Sequence, residues 1–423
     1  MKKPSTLKRA SGLVLSFFLA LSWFSPMQET LRTLPGNIAL TQGQARTLYL
    51  GGLTATGDAL TVTSSEDETL AAVGAVNVVS ETSGTSELLL SLFGIPLRRV
   101  EVEVSPEKRL IPGGQALGVA MRTDGVLVVG VSEVADGISP AKDSGLKAGD
   151  VIRSINGTAV ETADALTDLI SAAGSSPVTI DFLRGSASMS VTLTPILDEA
   201  TGTVRLGAWV RDSTAGVGTL SFYDPDTGAY AALGHAITDG DTGSVLSVSR
   251  GQVLRANIVA VQKGQKGTPG ELKGSFLREG EVLGNIRRNS ILGIYGTMDT
   301  PVVNQLYPDG LPIGLRSGVH TGKASILSSV DGTGIQEYEV EITRVNQQSS
   351  PAPKSMVIRV TDTRLLEKTG GIVQGMSGSP ILQDGRIVGA VTHVFVGDPQ
   401  QGYGLYIDWM LQVSDRCILA RFQ

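Results

Sequence analysis

Apolar and polar residues alternate with a period of two along much of this chain. Val100-Glu101-Val102-Glu103-Val104 sets valines on one side and glutamates on the other, the pattern of a half-buried strand. Glu337-Tyr338-Glu339-Val340-Glu341-Ile342 repeats it, with Tyr338, Val340 and Ile342 expected inward. Arg386 to Val396 predicts a longer apolar strand broken by Gly389, and Arg46 to Leu50 a short one. Asp309-Gly310, Asp331-Gly332 and Asp384-Gly385 are hairpin-type turn pairs between such runs. Helical spacing is rarer. After Thr162, a good N-cap residue, Leu166, Leu169 and Ile170 fall at i, i+3 and i+4 and predict a short helix. The chain reads as mainly β.

The N-terminus breaks this pattern. Lys2, Lys3, Lys8 and Arg9 precede an apolar run from about Gly12 to Phe24. That run is shorter than the ~20 apolar residues of a membrane span and suits an export signal. Ala20-Leu21-Ser22 offers a small-residue cleavage site inside the run, so a signal peptide and an uncleaved anchor both remain open. Everything after about Pro26 is expected to work outside the cytoplasmic membrane. The division expected from sequence is 1–26 signal or anchor, 27–107 small β region or spacer, 108–198 a second unit and 199–423 a third.

Composition narrows the chemistry. The 423 residues include 52 glycines, while charged residues are 18% and aromatics 5%, which favours strands and tight turns over long surface helices. The net charge is −6, with no basic block beyond the N-terminus, so a nucleic-acid partner is not expected. Cys417 is alone and allows no intrachain disulfide. With three histidines and no HExxH, neither a catalytic metal nor another cofactor is expected.

Residues 111–197 carry a sharper pattern. Gly145-Leu146, Gly149-Asp150, Ile152 and Ile155-Asn156-Gly157 follow one another at short spacing, and Asn156-Gly157 suits a type I′ turn. The stretch resembles a PDZ domain. By that resemblance Leu117, Gly118 and Val119 would receive a peptide's terminal carboxylate on backbone N–H groups. The peptide strand would lie against the helix that starts at Thr162.

Gly371 to Pro380 is the segment richest in chemical meaning. Ser377 sits in Gly375-Met376-Ser377-Gly378-Ser379-Pro380. Flanking glycines permit a sharp turn that presents Oγ and aims the N–H groups of Gly375 and Ser377 at one point. The segment is similar to the nucleophile loop of chymotrypsin-like serine peptidases, though a structural Gly/Ser turn reads the same way. A base must come from His235, His320 or His393. His235 precedes the serine, the chymotrypsin order. His393 shares its strand face with Ile387, Val391 and Phe395 and reads as a core or pocket-lining residue. For His320 no partner can be inferred. Spacing does not rank Asp362, Asp239 and Asp241 as the orienting acid, and Asp239 also reads as a turn residue.

Across about Phe93 to Met410 the chain resembles the SpoIVB (stage IV sporulation protein B) peptidases. The motifs are Leu110-Ile111-Pro112-Gly113-Gly114-Gln115, Leu233-Gly234-His235, Lys263 to Leu272 and Leu365 to Pro380. The resemblance implies a PDZ domain followed by a chymotrypsin-like double β-barrel, with His235, Asp362 and Ser377 as triad. It implies an exported serine endopeptidase of sporulation signalling at the forespore membrane. That enzyme would cleave the extracytoplasmic part of a SpoIVFA-like membrane regulator, activating pro-sigma-K processing, and would cleave itself. Two other functions fit parts of the sequence: a PDZ adaptor with a structural serine loop, and an HtrA-like quality-control protease. The HtrA domain order is the reverse of the order here.

Overall fold

Val100, Val102 and Val104 point into a core and Glu101 and Glu103 into solvent, as their alternation predicts. In the computed structural model, which describes residues 36–43, 45–64, 74–135, 137–275 and 281–419, they belong to strand Ile95–Ser105. This strand pairs in parallel with Asn37–Thr41 and antiparallel with Gly84–Leu92, which in turn pairs with Thr54–Gly57. Arg46–Tyr49, Ala75–Val79 and Thr61–Ser64 form a second sheet, and both sheets contribute to one core with Ile38, Leu48, Val78, Leu88 and Leu90. The N-terminal basic and apolar segment lies outside the described residues.

Residues 109–423 form a separate compact unit built around two long strands, β1 (Ala116–Val131) and β2 (Ala208–Tyr223). They run antiparallel from Ala208 opposite Val131 to Thr219 opposite Ala116. Register shifts interrupt the ladder between Trp209 and Val210 and between Arg211 and Ser213. The other edge of β1 changes partner midway. Val126 and Leu127 pair with strand Asp150–Ile155, whereas Leu117 to Thr123 pair with a strand from the following domain. The change falls at Thr123-Asp124-Gly125. Buried Thr123 donates its hydroxyl to the Gly125 and Asp212 carbonyls at 2.6 and 3.1 Å, pinning the crossing point of both strands. Gly125 has φ +100° there, and a Cβ would come within 2.5 Å of the Ile152 carbonyl oxygen.

On one side of this crossing stands the PDZ domain. Strands Asp150–Ile155, Val178–Arg184 and Ala187–Leu193 continue the sheet, and helix α1 (Ala163–Ala173) packs Leu166 and Ile170 against Val126, Val128, Ile152 and Phe182. Thr162 caps α1 by accepting the Ala165 N–H at 3.1 Å, and Asn156 and Gly157 both have positive φ, as the sequence predicts.

On the other side β1 and β2 enter an antiparallel sheet with β3 (Ala229–Ala232), β4 (Val248–Arg255), Arg109–Pro112, Val282–Asn285 and Gly293–Thr297. Its core holds Leu117, Val119, Leu220, Tyr230, Val253 and Ile294. Six further strands close a barrel in the order β5-β6-β7-β10-β9-β8. They are β5 (Gly322–Ser328), β6 (Gln336–Val345), β7 (Met356–Val360), β8 (Pro380–Gln383), β9 (Arg386–Phe395) and β10 (Asp398–Tyr406). Helix α2 (Thr363–Thr369) leaves β7 and leads to the serine loop. Tyr338, Val340 and Ile342 face the barrel core as expected.

The mainly β, two-part peptidase architecture expected from sequence is present, with one change in connectivity. Residues 109–122 build the peptidase sheet rather than the PDZ domain, so the PDZ domain is inserted between two of its strands.

Candidate active site

Leucine, glycine and histidine at 233–235 turn the chain sharply after β3. Leu233 and Gly234 take φ +69° and +68°, and the turn lies on Thr392 of β9, whose Cγ2 a Gly234 Cβ would meet at 3.0 Å. His235 thereby faces the barrel. Its Nδ1 stands 2.8 Å from the Ala236 carbonyl oxygen. A carbonyl only accepts, so Nδ1 carries the proton and Nε2 the lone pair. Burial lowers the His235 pKa from its usual value, with the bond to Ala236 opposing the shift.

The serine loop reaches the same place from the barrel. Gly375 and Gly378 have φ +94° and +99°, and a Cβ on Gly378 would fall on the Thr219 carbonyl oxygen. Within the loop the N–H groups of Gln374, Met376, Gly378 and Ser379 bond to the carbonyls of Gly270, Val373, Val391 and Met376. Those of Gly375 and Ser377 have no acceptor among the described residues. These are the two donors that the sequence assigns to an oxyanion. Ser377 Oγ donates to the Thr392 carbonyl at 2.7 Å, not to His235.

Both residues line one cleft of about 900 Å³ with Val217, Ile237, Val373 and Val394, and no Asp, Glu, Lys or Arg lines it. His393 lines it too, its ring centre 5.1 Å from that of His235. Burial, the neighbouring His235 and Lys354 push the His393 pKa down to about 4. Of the two readings of His393 from sequence, the pocket-lining one holds.

Two assignments need correction, Asp362 and the Leu117-Gly118-Val119 loop. Asp362 does not reach His235. It caps α2, accepting N–H bonds from Arg364 at 2.8 Å and Glu339 at 3.2 Å, and Arg364 closes on it at 2.7 Å. The hydrogen bonds from Arg364 hold its carboxyl below the usual range, with burial opposing. Asp239 is a turn residue, accepting from the N–H groups of Asp241 and Thr242 and pairing with Arg211, which also holds Asp241. Among the described residues the Ala236 carbonyl, not a carboxylate, orients His235.

Leu117, Gly118 and Val119 are not a carboxylate-binding loop. They lie mid-strand in β1, paired on one edge with Gly218, Val217 and Gly216 and on the other with Arg255, Leu254 and Val253. Their backbone groups are spent on two ladders, and Leu117 and Val119 are buried. Another Leu-Gly pair in the sequence, Leu206-Gly207, lies next to the PDZ domain. It leads into the half of β2 that lies alongside the PDZ sheet, and Asp212 at the far end of that half accepts the first N–H of α1 at 3.0 Å. Gly207 has φ +75°, and a Cβ there would collide with the Ser132 carbonyl. His320, lastly, is exposed and bonds to Asp384 at 2.9 Å, outside the cleft.

A glycine-flanked serine, a histidine and two unpaired amides in a cleft between two β units, with a PDZ domain attached, define a serine peptidase. Residues 202–411 match the SpoIVB peptidase S55 family and residues 130–184 match a PDZ domain. The chain belongs to the SpoIVB peptidase family. No curated protein matches it in sequence. Among solved structures it is similar to the PDZ domain of an SdrC-like protein from Listeria monocytogenes, at 27% identity and TM-score 0.19 over 21% of this chain and 87% of that one. It is also similar to the active form of the Rv3671c protease from M. tuberculosis, at 16% identity and TM-score 0.26 over 47% and 72%. A third is the HtrA-type protease AlgW with a decapeptide, at 14% identity and TM-score 0.28 over 49% and 55%.

Proposed function

We propose that this peptidase is an exported endopeptidase of sporulation signalling in which His235 is the base and Ser377 the nucleophile. The observation that carries the site is the pair of unpaired N–H groups at Gly375 and Ser377, beside a histidine whose Nε2 is free to accept a proton. Ser377 Oγ leaves the Thr392 carbonyl, gives its proton to His235 Nε2 and attacks the scissile carbonyl. The oxyanion gathers on the Gly375 and Ser377 amides. His235, held by the Ala236 carbonyl, then protonates the leaving amine. Because Ser377 is engaged elsewhere before substrate arrives, this arrangement is a latent one.

The uncharged, β-branched lining of the cleft suits an extended peptide with aliphatic side chains. Membership of the SpoIVB family supports a SpoIVFA-like membrane regulator as substrate, self-cleavage near the N-terminus, and action on the outer side of the forespore membrane. The basic and apolar N-terminal sequence supports export or anchoring. The peptide groove of the PDZ domain is proposed to lie between β2 and α1, with Leu206-Gly207 at its closed end. The full chain and its Ser377→Ala variant, each incubated with a peptide series spanning the regulator and the chain's own N-terminus, test this. Loss of cleavage in the variant with unchanged circular dichroism supports the reading; equal cleavage by both overturns it.

A further inference from the structure

Two imidazoles face each other in a cleft lined by no carboxylate, and the proposed mechanism uses only one. The His235 and His393 ring centres are 5.1 Å apart with planes inclined by 40°. A backbone carbonyl on His235 Nδ1 fixes the ring and leaves Nε2 as the donor nitrogen, the support usually found behind a metal-bound histidine. Neither ring nitrogen of His393 is hydrogen-bonded among the described residues. Two imidazoles on one tetrahedral zinc at ~2.0–2.1 Å hold their ring centres about 5 Å apart. The observed separation already matches.

We propose that His235 and His393 together bind one Zn²⁺ ion in the cleft, a reversible inhibitory site rather than a catalytic one. Each histidine contributes a nitrogen lone pair, and the six-coordinate aqua ion sheds four waters and keeps two as it becomes tetrahedral; nothing is oxidised or reduced. No third His, Cys, Asp or Glu joins them among the described residues, so water completes the coordination. With two protein ligands the affinity is on the order of micromolar, far below that of structural zinc sites. The bound ion occupies the lone pair that Ser377 needs, so metal and peptide compete. This inhibitory consequence rests on His235 being the base; the binding does not.

Calorimetric titration of ZnCl₂ into metal-free full-length Ser377→Ala protein tests the site without turnover. One ion per chain is expected, with affinity falling at least about tenfold when His393→Ala or His235→Ala is added. Co²⁺ in place of Zn²⁺ should give visible absorption bands that both histidine variants abolish. In the Ser377 protein, zinc should suppress peptide cleavage and EDTA should restore it, and the residual activity of His393→Ala should no longer respond to zinc. Binding that survives both histidine substitutions, or none up to about 100 μM zinc, overturns the proposal. Binding through both histidines in a chain that cleaves nothing would leave the site standing and remove the peptidase mechanism instead.

Discussion

Thr219 of β2 holds the Ser377 loop from the neighbouring sheet, its N–H donating to the Ser377 carbonyl at 3.0 Å. Its hydroxyl donates to the Gly375 carbonyl at 2.7 Å, and the residue is 2% exposed. One residue thus fixes both peptide units beside the two unpaired amides, one through its backbone and one through its side chain. Thr219→Val keeps the shape and removes the hydroxyl, leaving the Gly375 carbonyl without its partner. A loss of about 1–3 kcal/mol in stability is expected, with a drop in kcat larger than any rise in KM. Thermal unfolding and steady-state kinetics on one peptide measure both.

Asp362 separates the two readings of the acid. As the N-cap of α2, Asp362→Ala should cost about 1 kcal/mol of stability. Asp362→Asn, which still caps, should cost less and leave kcat within about tenfold. A true orienting acid would lose about 10⁴-fold on the same change. A collapse of kcat in the well-folded Asn variant would restore Asp362 to the site.

His235 is held in its neutral form by burial, which sets the pH response. The acid limb of kcat/KM for the free enzyme should have its midpoint below ~6.5, the ordinary histidine value. The sign for stability is the same. Folded-state values below the unfolded one mean that the unfolded chain binds more protons, so stability rises with pH through that window. For His393 the window runs from about 4 to the ordinary histidine value of 6.5, and acidification across it should weaken the fold. His393→Gln should flatten this part of a denaturation-against-pH series.

Gly207 tests the relocated groove. Gly207→Ala places a methyl group on the Ser132 carbonyl at positive φ, which should loosen the PDZ domain by more than about 1 kcal/mol. Cleavage of a short peptide should persist, while cleavage of the membrane-bound regulator should fall. Equal effects on both substrates would show that the groove is elsewhere.

The local elements were legible wherever a period or a cap sufficed. Val100, Val102, Val104, Tyr338, Val340 and Ile342 declared their faces through alternation, and Thr162 and Asn156-Gly157 through cap and turn chemistry. What failed depended on partners far along the chain. Leu117-Gly118-Val119 reads the same as a carboxylate loop or as a strand, and only pairing with Val217 and Leu254 decides between them. Asp362 carries a second signal, since an Asp immediately before Thr363-Arg364-Leu365-Leu366 is also an N-cap. His393 showed its strand face but not that the face opens into the cleft beside His235. That meeting of sheet and barrel leaves no mark in either stretch of sequence.

Insertion of the PDZ domain through β1 and β2 changes what a deletion means. Removing 108–198 strips the peptidase sheet of a central strand, and the dead product would be misread as proof that the PDZ domain is required. The two strands instead supply their own cutting point. Arg122 and Ser213 are register partners on the catalytic side of the crossing. A two-residue turn such as Asn-Gly joining them would close β1 and β2 into an ordinary hairpin. The module between them is, in topological terms, an outgrown hairpin loop.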